Sequence, residues 1–402
     1  MRQALASRAS GCFLFWLKSR KLLRRRAIPT KMSRVLFISN GHGEASIAER
    51  IACELPGLAR ATIEHLPLVW GGQKKSALPL VGPRTAMPSG GLVAMGNLRA
   101  FAQDVRAGFL TLFVRQMRFI RTYGKGYACV VAVGDAYALA LALFSRSPVV
   151  FVGTAKSIYV AGYGPFERYL LRRAERVFVR DEPTALALRN LNVQALAPGN
   201  TIVDLVDDEP PARAGAWIAV LPGSRKQAYE DGVRLARVIR AMSAAALFSI
   251  APGLDHNEFE RLLAADGWRV TQTASDPNSP FEAHDAHGAH LLAWRGALGA
   301  LLRASRLVLG QAGTANEAAA ACGVPIVALE TDSGGWYRMR QQRLLGEALV
   351  IVPAESTAAA RALEALLNDG KRLEHMGEVG RERMGKPGGA RVVAAAIAQL
   401  CA

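Results

Sequence analysis

The chain has 402 residues, half of them apolar and 21% charged, which suits two globular domains with ordinary cores and excludes a disordered polymer. The net charge is +17, but residues 1–31 hold nine Lys or Arg and no acidic residue, which leaves +8 for the rest. That remainder has no nucleic-acid-binding signature, so no nucleic-acid partner is predicted. Five scattered cysteines without a Cys-x-x-Cys pair indicate a reducing compartment, and they predict neither a disulfide framework nor a zinc site.

The basic extension at residues 1–31 has two interpretations. Its apolar run at 12–17 is six residues long, whereas a signal peptide needs about 7–15 apolar residues and a membrane span about 20. One interpretation is a disordered segment upstream of a true start at Met32, because the first predicted strand begins just after that residue. The other is an Arg-rich targeting or membrane-surface segment. The sequence predicts no transmembrane helix.

From residue 34 onward, short apolar runs alternate with longer amphipathic runs, which is the pattern of a parallel sheet covered by helices on both faces. In the first half, strands are predicted at 35–39, 130–133, 149–152 and 177–179, and helices at 45–55, 136–144, 166–174 and 182–191. In the second half, strands are predicted at 217–221, 247–250, 307–309, 326–329 and 349–352, and helices at 229–246, 315–322 and 390–400.

A polar, Pro-rich stretch at 207–215 separates the two halves and predicts a linker between domains. The predicted fold class is therefore α/β, with two doubly wound, Rossmann-like domains that face a cleft. The domains are expected at 33–206 and at 216–402, and the second includes a terminal helix. Because ligands of such sheets lie at the carboxyl ends of the strands, the cleft is the expected binding site.

The first motif, NGHGE at 40–44, directly follows the first strand and opens the first helix. Glycines there permit a tight turn, and a helix N-terminus attracts anions. We predict an acceptor-binding loop that contains Gly41, Gly43 and Glu44. His42 is a candidate catalytic acid or base, and a purely structural turn is the alternative. The motif is not Gly-x-Gly-x-x-Gly, so no dinucleotide cofactor is predicted.

The second motif, LPGSR, follows the first strand of the second half. Gly223, Ser224 and Arg225 offer backbone N–H groups, a hydroxyl and a bidentate cation, which together suit a diphosphate. The alternative is a surface turn whose arginine is solvated.

The third motif, GQAGTANE, places Gly313 and Thr314 at the start of a helix, where they are expected to bind phosphate. Glu317 is expected to accept hydrogen bonds from both ribose hydroxyls, and the alternative is a favourable interaction with the helix dipole. Gln341 and Gln342 follow the next strand and can both donate to and accept from sugar hydroxyls. Pairs of glutamines are also common on exposed helices.

A helix predicted at 103–122 is amphipathic and basic. Its apolar residues fall near one face: Val105, Phe109, Phe113, Met117 and Ile120. Its arginines fall near another: Arg115, Arg118 and Arg121. Such a helix is a candidate anchor to an anionic membrane surface, and the alternative is a core-packing helix with a solvated basic face.

A short polar loop contains His284, Asp285, His287 and His290. The spacing is compatible with a metal ion, but the segment is rich in turn-forming residues and offers no obvious further ligand. We therefore expect a solvated loop and predict no metal site.

The order of these motifs resembles that of the lipid-A-disaccharide synthase family and, more distantly, the UDP-GlcNAc transferase of peptidoglycan synthesis. The likeness covers residues 33–400. It is carried by these segments: 43–46 (GEAS), 133–136 (VGDA), 198–200 (PGN), 203–204 (VD), 221–225 (LPGSR), 313–317 (GTANE) and 323–325 (GVP).

The resemblance implies the GT-B glycosyltransferase architecture and an inverting, metal-independent transfer from a UDP-sugar to a lipid-linked acceptor. It implies that the C-terminal half binds the donor, through Thr314, Glu317 and the 223–225 loop, without a cofactor. Gln341 and Gln342 match amides that contact the donor sugar. Asp135 matches a candidate catalytic base. The expected location is cytoplasmic, peripheral to the inner face of a membrane. The sequence also lacks the Asp-x-Asp pair that holds a divalent ion in the other glycosyltransferase architecture.

Two departures favour a divergent, synthase-related branch. The family's GEASGD is GEASIA here, so Ala48 replaces the usual aspartate, and His42 is an additional histidine. Two other functions stay open. One is a UDP-sugar epimerase of the same architecture, and the other is an inactive nucleotide-sugar-binding protein.

Overall fold

The computed structural model describes residues 33–55, 61–69, 76–87, 98–206, 212, 215–273, 276–330 and 335–402. The basic extension at 1–31 and most of the 207–215 linker lie outside the described residues, as does the side chain of His42. From Ser33 to Cys401 the chain forms one compact unit. It contains two largely parallel β-sheets flanked by helices, which confirms the predicted pair of Rossmann-like α/β domains. The exact domain boundaries stay a prediction.

The first sheet has six parallel strands in the order β2-β1-β3-β4-β5-β6. They are β1 (Ser33–Ser39), β2 (Ala61–Pro67), β3 (Cys129–Gly134), β4 (Val149–Gly153), β5 (Arg176–Val179) and β6 (Ala195–Leu196). All six residues of β3 are buried, because helices cover both faces of the sheet.

Among the described residues of this half, six helices accompany the sheet: α1 (His42–Glu54), α2 (Leu98–Arg106), α3 (Phe109–Tyr123), α4 (Ala136–Leu143), α5 (Pro165–Leu171) and α6 (Glu182–Arg189). Aspartates cap α4 and α6, because the side chains of Asp135 and Asp181 accept hydrogen bonds from the first free N–H groups of these helices. A short 3-10 turn, Gly124–Gly126, follows α3.

The helix predicted at 103–122 is two helices, so that prediction is wrong in its bounds. Gly108 adopts a positive φ of 95° between α2 and α3, and this conformation ends one helix and begins the next. Leu112 and Ile120 are buried in the core, and Phe113 and Met117 pack against it. The apolar face therefore packs into the core, which is the alternative to a membrane anchor that the sequence left open.

The second sheet has eight strands in the order β14-β13-β12-β7-β8-β11-β10-β9. They are β7 (Trp217–Leu221), β8 (Ala245–Ser249), β9 (Arg269–Gln272), β10 (Phe281–His284), β11 (His290–Trp294), β12 (Ser305–Gly310), β13 (Ile326–Leu329) and β14 (Leu349–Val352). Strand β10 runs antiparallel to both β9 and β11. The sequence did not predict this antiparallel extension.

The part of the second half that the structure describes contains eight helices: α7 (Ala228–Ala241), α8 (His256–Ala265), α9 (Leu298–Arg303), α10 (Thr314–Ala321), α11 (Gly335–Leu345), α12 (Ser356–Asn368), α13 (Gly370–Met384) and α14 (Gly389–Cys401). The helix predicted at 229–246 ends earlier, at Ala241, because the chain turns at Ser243 and enters β8. Short 3-10 turns lie at Val203–Leu205 and Gly346–Ala348. Within the described ranges, none of the helices combines the length and apolar character that crossing a bilayer requires.

The C-terminal helix α14 returns to the first domain and packs against α1 and β3. The segment at 198–204 holds it there. Asp204 is 4% exposed, and its carboxylate accepts hydrogen bonds from the N–H groups of Gly388 (2.5 Å) and Ala390 (2.7 Å). Asn200 donates to the Met384 carbonyl at 2.9 Å. These contacts give a structural role to the segments 198–200 (PGN) and 203–204 (VD), which are two of the motifs that carry the family resemblance.

Candidate active site

The segments that follow the carboxyl ends of four strands supply the predicted site residues except the two glutamines of α11, which follows β13. In the first sheet, β1 leads through 40–41 into α1, and β3 leads into α4. In the second sheet, β7 leads into the 222–227 loop and β12 into the 311–313 loop. Strands β7 and β12 are neighbours, and the Gln311 N–H donates to the Leu221 carbonyl at 2.9 Å. The two motifs that were predicted to bind phosphate are therefore adjacent, as expected at this edge of a parallel sheet.

Asp135 is the N-cap residue of α4. Its Oδ1 accepts hydrogen bonds from the backbone N–H groups of Tyr137 (3.0 Å) and Ala138 (3.1 Å). Its Oδ2 accepts a hydrogen bond from the Asn40 amide at 2.9 Å. Burial raises the pKa of the Asp135 carboxyl, although these hydrogen bonds oppose the rise. Both oxygens are thus engaged, and Asp135 connects the loops that follow β1 and β3.

Glu44 lies in the first turn of α1, and its side chain passes between the same two loops. A Cβ atom added to Gly41 would lie 2.6 Å from Oε2 of Glu44, and one added to Gly134 would lie 3.0 Å from its Cγ. Burial raises the pKa of Glu44 to about 7, and the negative charges of Asp135 and Glu317 contribute to the rise. A carboxyl group with this pKa exchanges a proton near neutral pH, which suits general acid–base catalysis.

The turn after β7 contains Gly223, Ser224 and Arg225. Gly223 has a φ of 119°, which a residue with a side chain rarely adopts, and the next two residues are exposed. Burial raises the pKa of the Tyr337 phenol, and the positive charge of Arg225 opposes that rise as it does at Glu44. The guanidinium group of Arg225 therefore acts on side chains of both domains.

Thr314 begins α10 where the two domains meet. A Cβ atom added to Gly43 would lie 2.5 Å from Oγ1 of Thr314, so the first turns of α1 and α10 nearly touch. A Cβ atom added to Gly313 would likewise clash with the hydroxyl oxygen of Tyr337. Glycine at positions 43 and 313 permits these close approaches because it has no side chain.

Glu317 lies in the first turn of α10 and forms an ion pair with Arg180 of the first domain. Nη2 of Arg180 is 2.9 Å from Oε2 of Glu317, and the two side chains are 4% and 17% exposed. Arg180 also donates to the Thr154 carbonyl at 3.3 Å. A further cross-domain hydrogen bond joins the Arg340 guanidinium to the Ala155 carbonyl. The residue predicted to bind ribose therefore also joins the domains.

The two glutamines of α11 have different surroundings. Gln341 is buried, and its amide donates to the carbonyl oxygens of Ala312 (3.1 Å) and Gly313 (3.2 Å). Its oxygen accepts a hydrogen bond from Arg338 at 2.9 Å. Gln342 is exposed on the same helix. Gln341 thus fixes the loop before α10, and contact of either glutamine with a sugar stays a prediction.

Sequence reasoning missed two members of this site. Arg180 directly follows the buried strand β5, so its place at the carboxyl edge of the sheet was the available signal. Tyr337 lies in the first turn of α11, and its sequence context gives no sign of its contact with Gly313. His42 begins α1, but its side chain lies outside the described structure, so its acid–base role stays a prediction.

No protein-family model matches the chain, and no curated protein matches its sequence. Solved structures match along nearly the whole length. A Listeria monocytogenes protein assigned as a UDP-N-acetylglucosamine 2-epimerase has a TM-score of 0.56 and 13% identity, over 91% of this chain and 96% of that one. The calicheamicin glycosyltransferase CalG4 has a TM-score of 0.55 and 14% identity, over 92% and 98%. Phytolacca americana UGT2, complexed with UDP-2-fluoro-glucose and pterostilbene, has a TM-score of 0.54 and 12% identity, over 92% and 100%.

At these identities the likeness shows the fold. The chain has the two-domain GT-B architecture, which the compared glycosyltransferases share with the compared epimerase. The architecture predicted from the motif series is therefore confirmed. It places the cleft between the loops of β1 and β3 on one side and those of β7 and β12 on the other.

Proposed function

We propose that this protein is an inverting glycosyltransferase that moves a sugar from a UDP-sugar to a lipid-linked acceptor without a metal ion. One observation carries the proposal: acidic groups of the first domain face the nucleotide-binding motifs of the second. Glu44 and Asp135 lie on one side, and Arg225, Thr314 and Glu317 lie on the other. The same fold in CalG4 and UGT2, the latter complexed with a UDP-sugar analogue, supports this assignment.

The second domain supplies the groups that a UDP-sugar needs. The first N–H groups of α10 and the Arg225 guanidinium stabilise the negative charge of the diphosphate, which makes an ion unnecessary. Glu317 accepts hydrogen bonds from the ribose hydroxyls. Gln341 acts indirectly, because its hydrogen bonds hold the loop before α10 in place.

In the proposed transfer step, Glu44 is the general base. Its carboxylate takes the proton from the acceptor hydroxyl, and that oxygen attacks C1 of the sugar opposite the diphosphate. The bond from C1 to the diphosphate oxygen breaks, UDP leaves, and the configuration at C1 inverts. Asp135 is a less suitable base because three hydrogen bonds engage its two oxygens. We assign Asp135 a positioning role, since it holds the Asn40 loop and raises the pKa of Glu44.

The nature of the acceptor is proposed from the motif series, which resembles that of the lipid-A-disaccharide synthases. A lipid-linked acceptor with a GlcNAc-type donor would bring the protein to the cytoplasmic face of a membrane. The outer face of α3 then offers three exposed arginines and two exposed apolar side chains to anionic lipid. They are Leu110, Val114, Arg115, Arg118 and Arg121. Co-sedimentation with anionic and neutral vesicles would test this contact, and replacing the three arginines by glutamate should abolish binding to anionic vesicles.

Calorimetry with UDP and UDP-GlcNAc tests the donor site. We expect micromolar UDP binding that Glu317→Ala abolishes. Glu347→Ala is the matched control, because Glu347 is also a carboxylate of the second domain but pairs with His375 at the surface. The affinity of the Glu347→Ala variant for UDP should equal that of the wild type. Failure of the wild-type protein to bind any uridine nucleotide would refute the proposal.

An epimerase is the second candidate, because three carboxylates act on one another in the cleft. The charges of Asp135 and Glu317 both raise the pKa of Glu44, and an epimerase needs such groups around the sugar carbon. Incubation with UDP-GlcNAc in D2O distinguishes the two activities. Deuterium at C2 of the sugar, seen by NMR, would indicate an epimerase, whereas release of UDP that requires an acceptor would indicate a transferase. UDP binding with neither reaction would indicate an inactive nucleotide-sugar-binding protein.

A further inference from the structure

Three side chains with metal-binding atoms converge on one face of the β10–β11 hairpin. His284 and His290 stand directly opposite each other in the antiparallel register, and Glu282 lies two residues before His284. Because alternate residues of a strand share a face, all three side chains are on the same side of the sheet. Their potential ligand atoms lie within 4.8 Å of one another. The two imidazole rings stack, with centroids 4.4 Å apart and planes inclined by 2°.

The distances suit a first-row transition metal. Oε2 of Glu282 is 3.3 Å from Nε2 of His290 and 3.6 Å from Nε2 of His284. In a tetrahedral zinc site with bonds of about 2.0–2.1 Å, neighbouring ligand atoms are about 3.3 Å apart. We propose that Glu282, His284 and His290 bind one Zn²⁺ ion, with solvent in the remaining position. Two imidazoles and a carboxylate are donors that zinc accepts readily.

The hairpin loop prepares this arrangement. Asp285, which stands beside the histidines in the sequence, is not among the converging ligand atoms. Its Oδ1 instead accepts hydrogen bonds from the backbone N–H groups of His287 (3.0 Å) and Ala289 (2.6 Å) and so shapes the turn. Gly288 completes the turn with a φ of 91°. These features fix the register that places the two histidine rings side by side before any ion binds. Glu282, from within β10, supplies the further ligand that the sequence pattern did not reveal.

The proposed site is remote from the transfer cleft. His290 pairs with Ala245, the first residue of the parallel strand β8, so it lies at the amino edge of the sheet. The nucleotide-binding loops follow the carboxyl ends of β7 and β12, at the opposite edge. The side chains of Glu282, His284 and His290 are 33%, 49% and 25% exposed, so an ion can reach them from solvent. Zinc would cross-link the antiparallel extension and take no part in glycosyl transfer.

Zinc titration of the full-length protein by calorimetry tests the proposal. We expect one Zn²⁺ per chain, with an affinity at least tenfold weaker in His284→Ala and in His290→Ala. His375→Ala is the matched control, because that imidazole also contacts a carboxylate, at 3.1 Å from Glu347, but belongs to no cluster of three metal-binding side chains among the described residues. It should bind zinc as the wild type does.

Cobalt(II) spectroscopy and thermal unfolding separate zinc binding at the hairpin from binding by cysteines and from misfolding of the variants. Cobalt bound at this site should show no sulfur-to-metal charge-transfer band, whereas binding by the free thiols would show one. Unfolding temperatures measured in EDTA should agree among the wild type and the three variants, and added zinc should raise only those of the wild type and the His375 variant. Zinc affinity that is absent, equal in all four proteins, or accompanied by the sulfur band would overturn the proposal.

Discussion

Arg180 and Glu317 form an ion pair, 2.9 Å between Nη2 and Oε2, that joins the first domain to the first turn of α10 in the second. Both side chains are mostly buried, so removing one of them leaves the charge of the other poorly solvated and without its partner. Arg180 therefore stabilises the same carboxylate that we assign to the ribose. The contact between the domains and the proposed binding of the donor consequently both depend on the side chain of Glu317.

Removing one member of this pair should destabilise the protein more than removing both. We expect Arg180→Met to lower the free energy of unfolding by about 2–3 kcal/mol, and Arg180→Met/Glu317→Gln to cost less than the sum of the single changes. Urea denaturation of the wild type, the two single variants and the double variant measures these free energies. Arg261→Met is the control, because Arg261 pairs with Glu258 at an exposed surface, where water screens the charges, and it should change the stability far less than Arg180→Met does. Strict additivity would contradict the coupling.

The raised pKa of Glu44 predicts how stability depends on pH. Between its ordinary value of 4.5 and about 7, the folded protein holds a proton on Glu44 that the unfolded chain has released. Stability from this residue is therefore complete below pH 4.5 and is lost as the pH rises to about 7. Glu44→Gln cannot lose that proton, so it should be more stable than the wild type at about pH 8, by about 2 kcal/mol, and similar at about pH 4.5. A difference that does not change with pH would contradict this prediction.

The same residue should set the pH profile of turnover. If Glu44 is the base, kcat/KM rises with pH and levels off above about 7, the pKa that burial gives its carboxyl. Glu44→Gln should lower kcat by at least about a hundredfold and leave the affinity for UDP unchanged. Asp135→Asn keeps the hydrogen bonds that Asp135 accepts at Oδ1 but removes a negative charge that raises the pKa of Glu44. It should therefore reduce activity and shift the rise of kcat/KM to lower pH without abolishing it. A lost profile in Asp135→Asn, with a normal one in Glu44→Gln, would exchange the two roles.

The contact between Gly43 and Thr314 predicts an unusual result for an alanine substitution. Alanine near the start of a helix normally stabilises relative to glycine by about 0.5–1 kcal/mol. At position 43 the new methyl group would lie 2.5 Å from the Thr314 hydroxyl oxygen, so we expect Gly43→Ala to destabilise the protein and to weaken UDP binding. Gly370→Ala, at another helix start with open space around it, should be neutral or stabilising. Thermal unfolding of Gly43→Ala with and without Thr314→Ala would show whether removing the hydroxyl restores stability.

The pattern of apolar residues predicted the elements that are buried on both faces, because a short, continuous apolar run has few structural alternatives to a buried strand. The strand predicted at 35–39 is Ser33–Ser39, and the one predicted at 217–221 has the same bounds in the structure. Strand β9, with the sequence RVTQ, is mostly exposed at the sheet edge, so its composition does not differ from that of a loop. The break at Gly108 did have a local signal, because glycine readily adopts the positive φ that ends the helix there, but the helical periodicity on both sides of it favoured one continuous helix.

Motif order predicted which loops form the cleft, but not the partners of their side chains. Arg180 and Glu317 are 137 residues apart in the chain, and no local pattern encodes their pairing. The pKa of Glu44 likewise depends on burial and on charges from two other loops, so its sequence context alone indicated an acceptor-binding residue.

The last prediction concerns Asp204, which holds the C-terminal helix on the first domain. Its buried carboxylate accepts the N–H groups of Gly388 and Ala390 at the start of α14, so Asp204→Ala would leave both N–H groups without this partner. We expect a loss of about 2 kcal/mol in the free energy of unfolding, together with faster proteolysis near residue 388. Asp255→Ala is the control, because Asp255 caps α8 at an exposed position within one domain and should cost about 1 kcal/mol or less. If both variants lose equal stability and neither exposes the C-terminal segment, Asp204 is an ordinary helix cap and the helix is held by its apolar face alone.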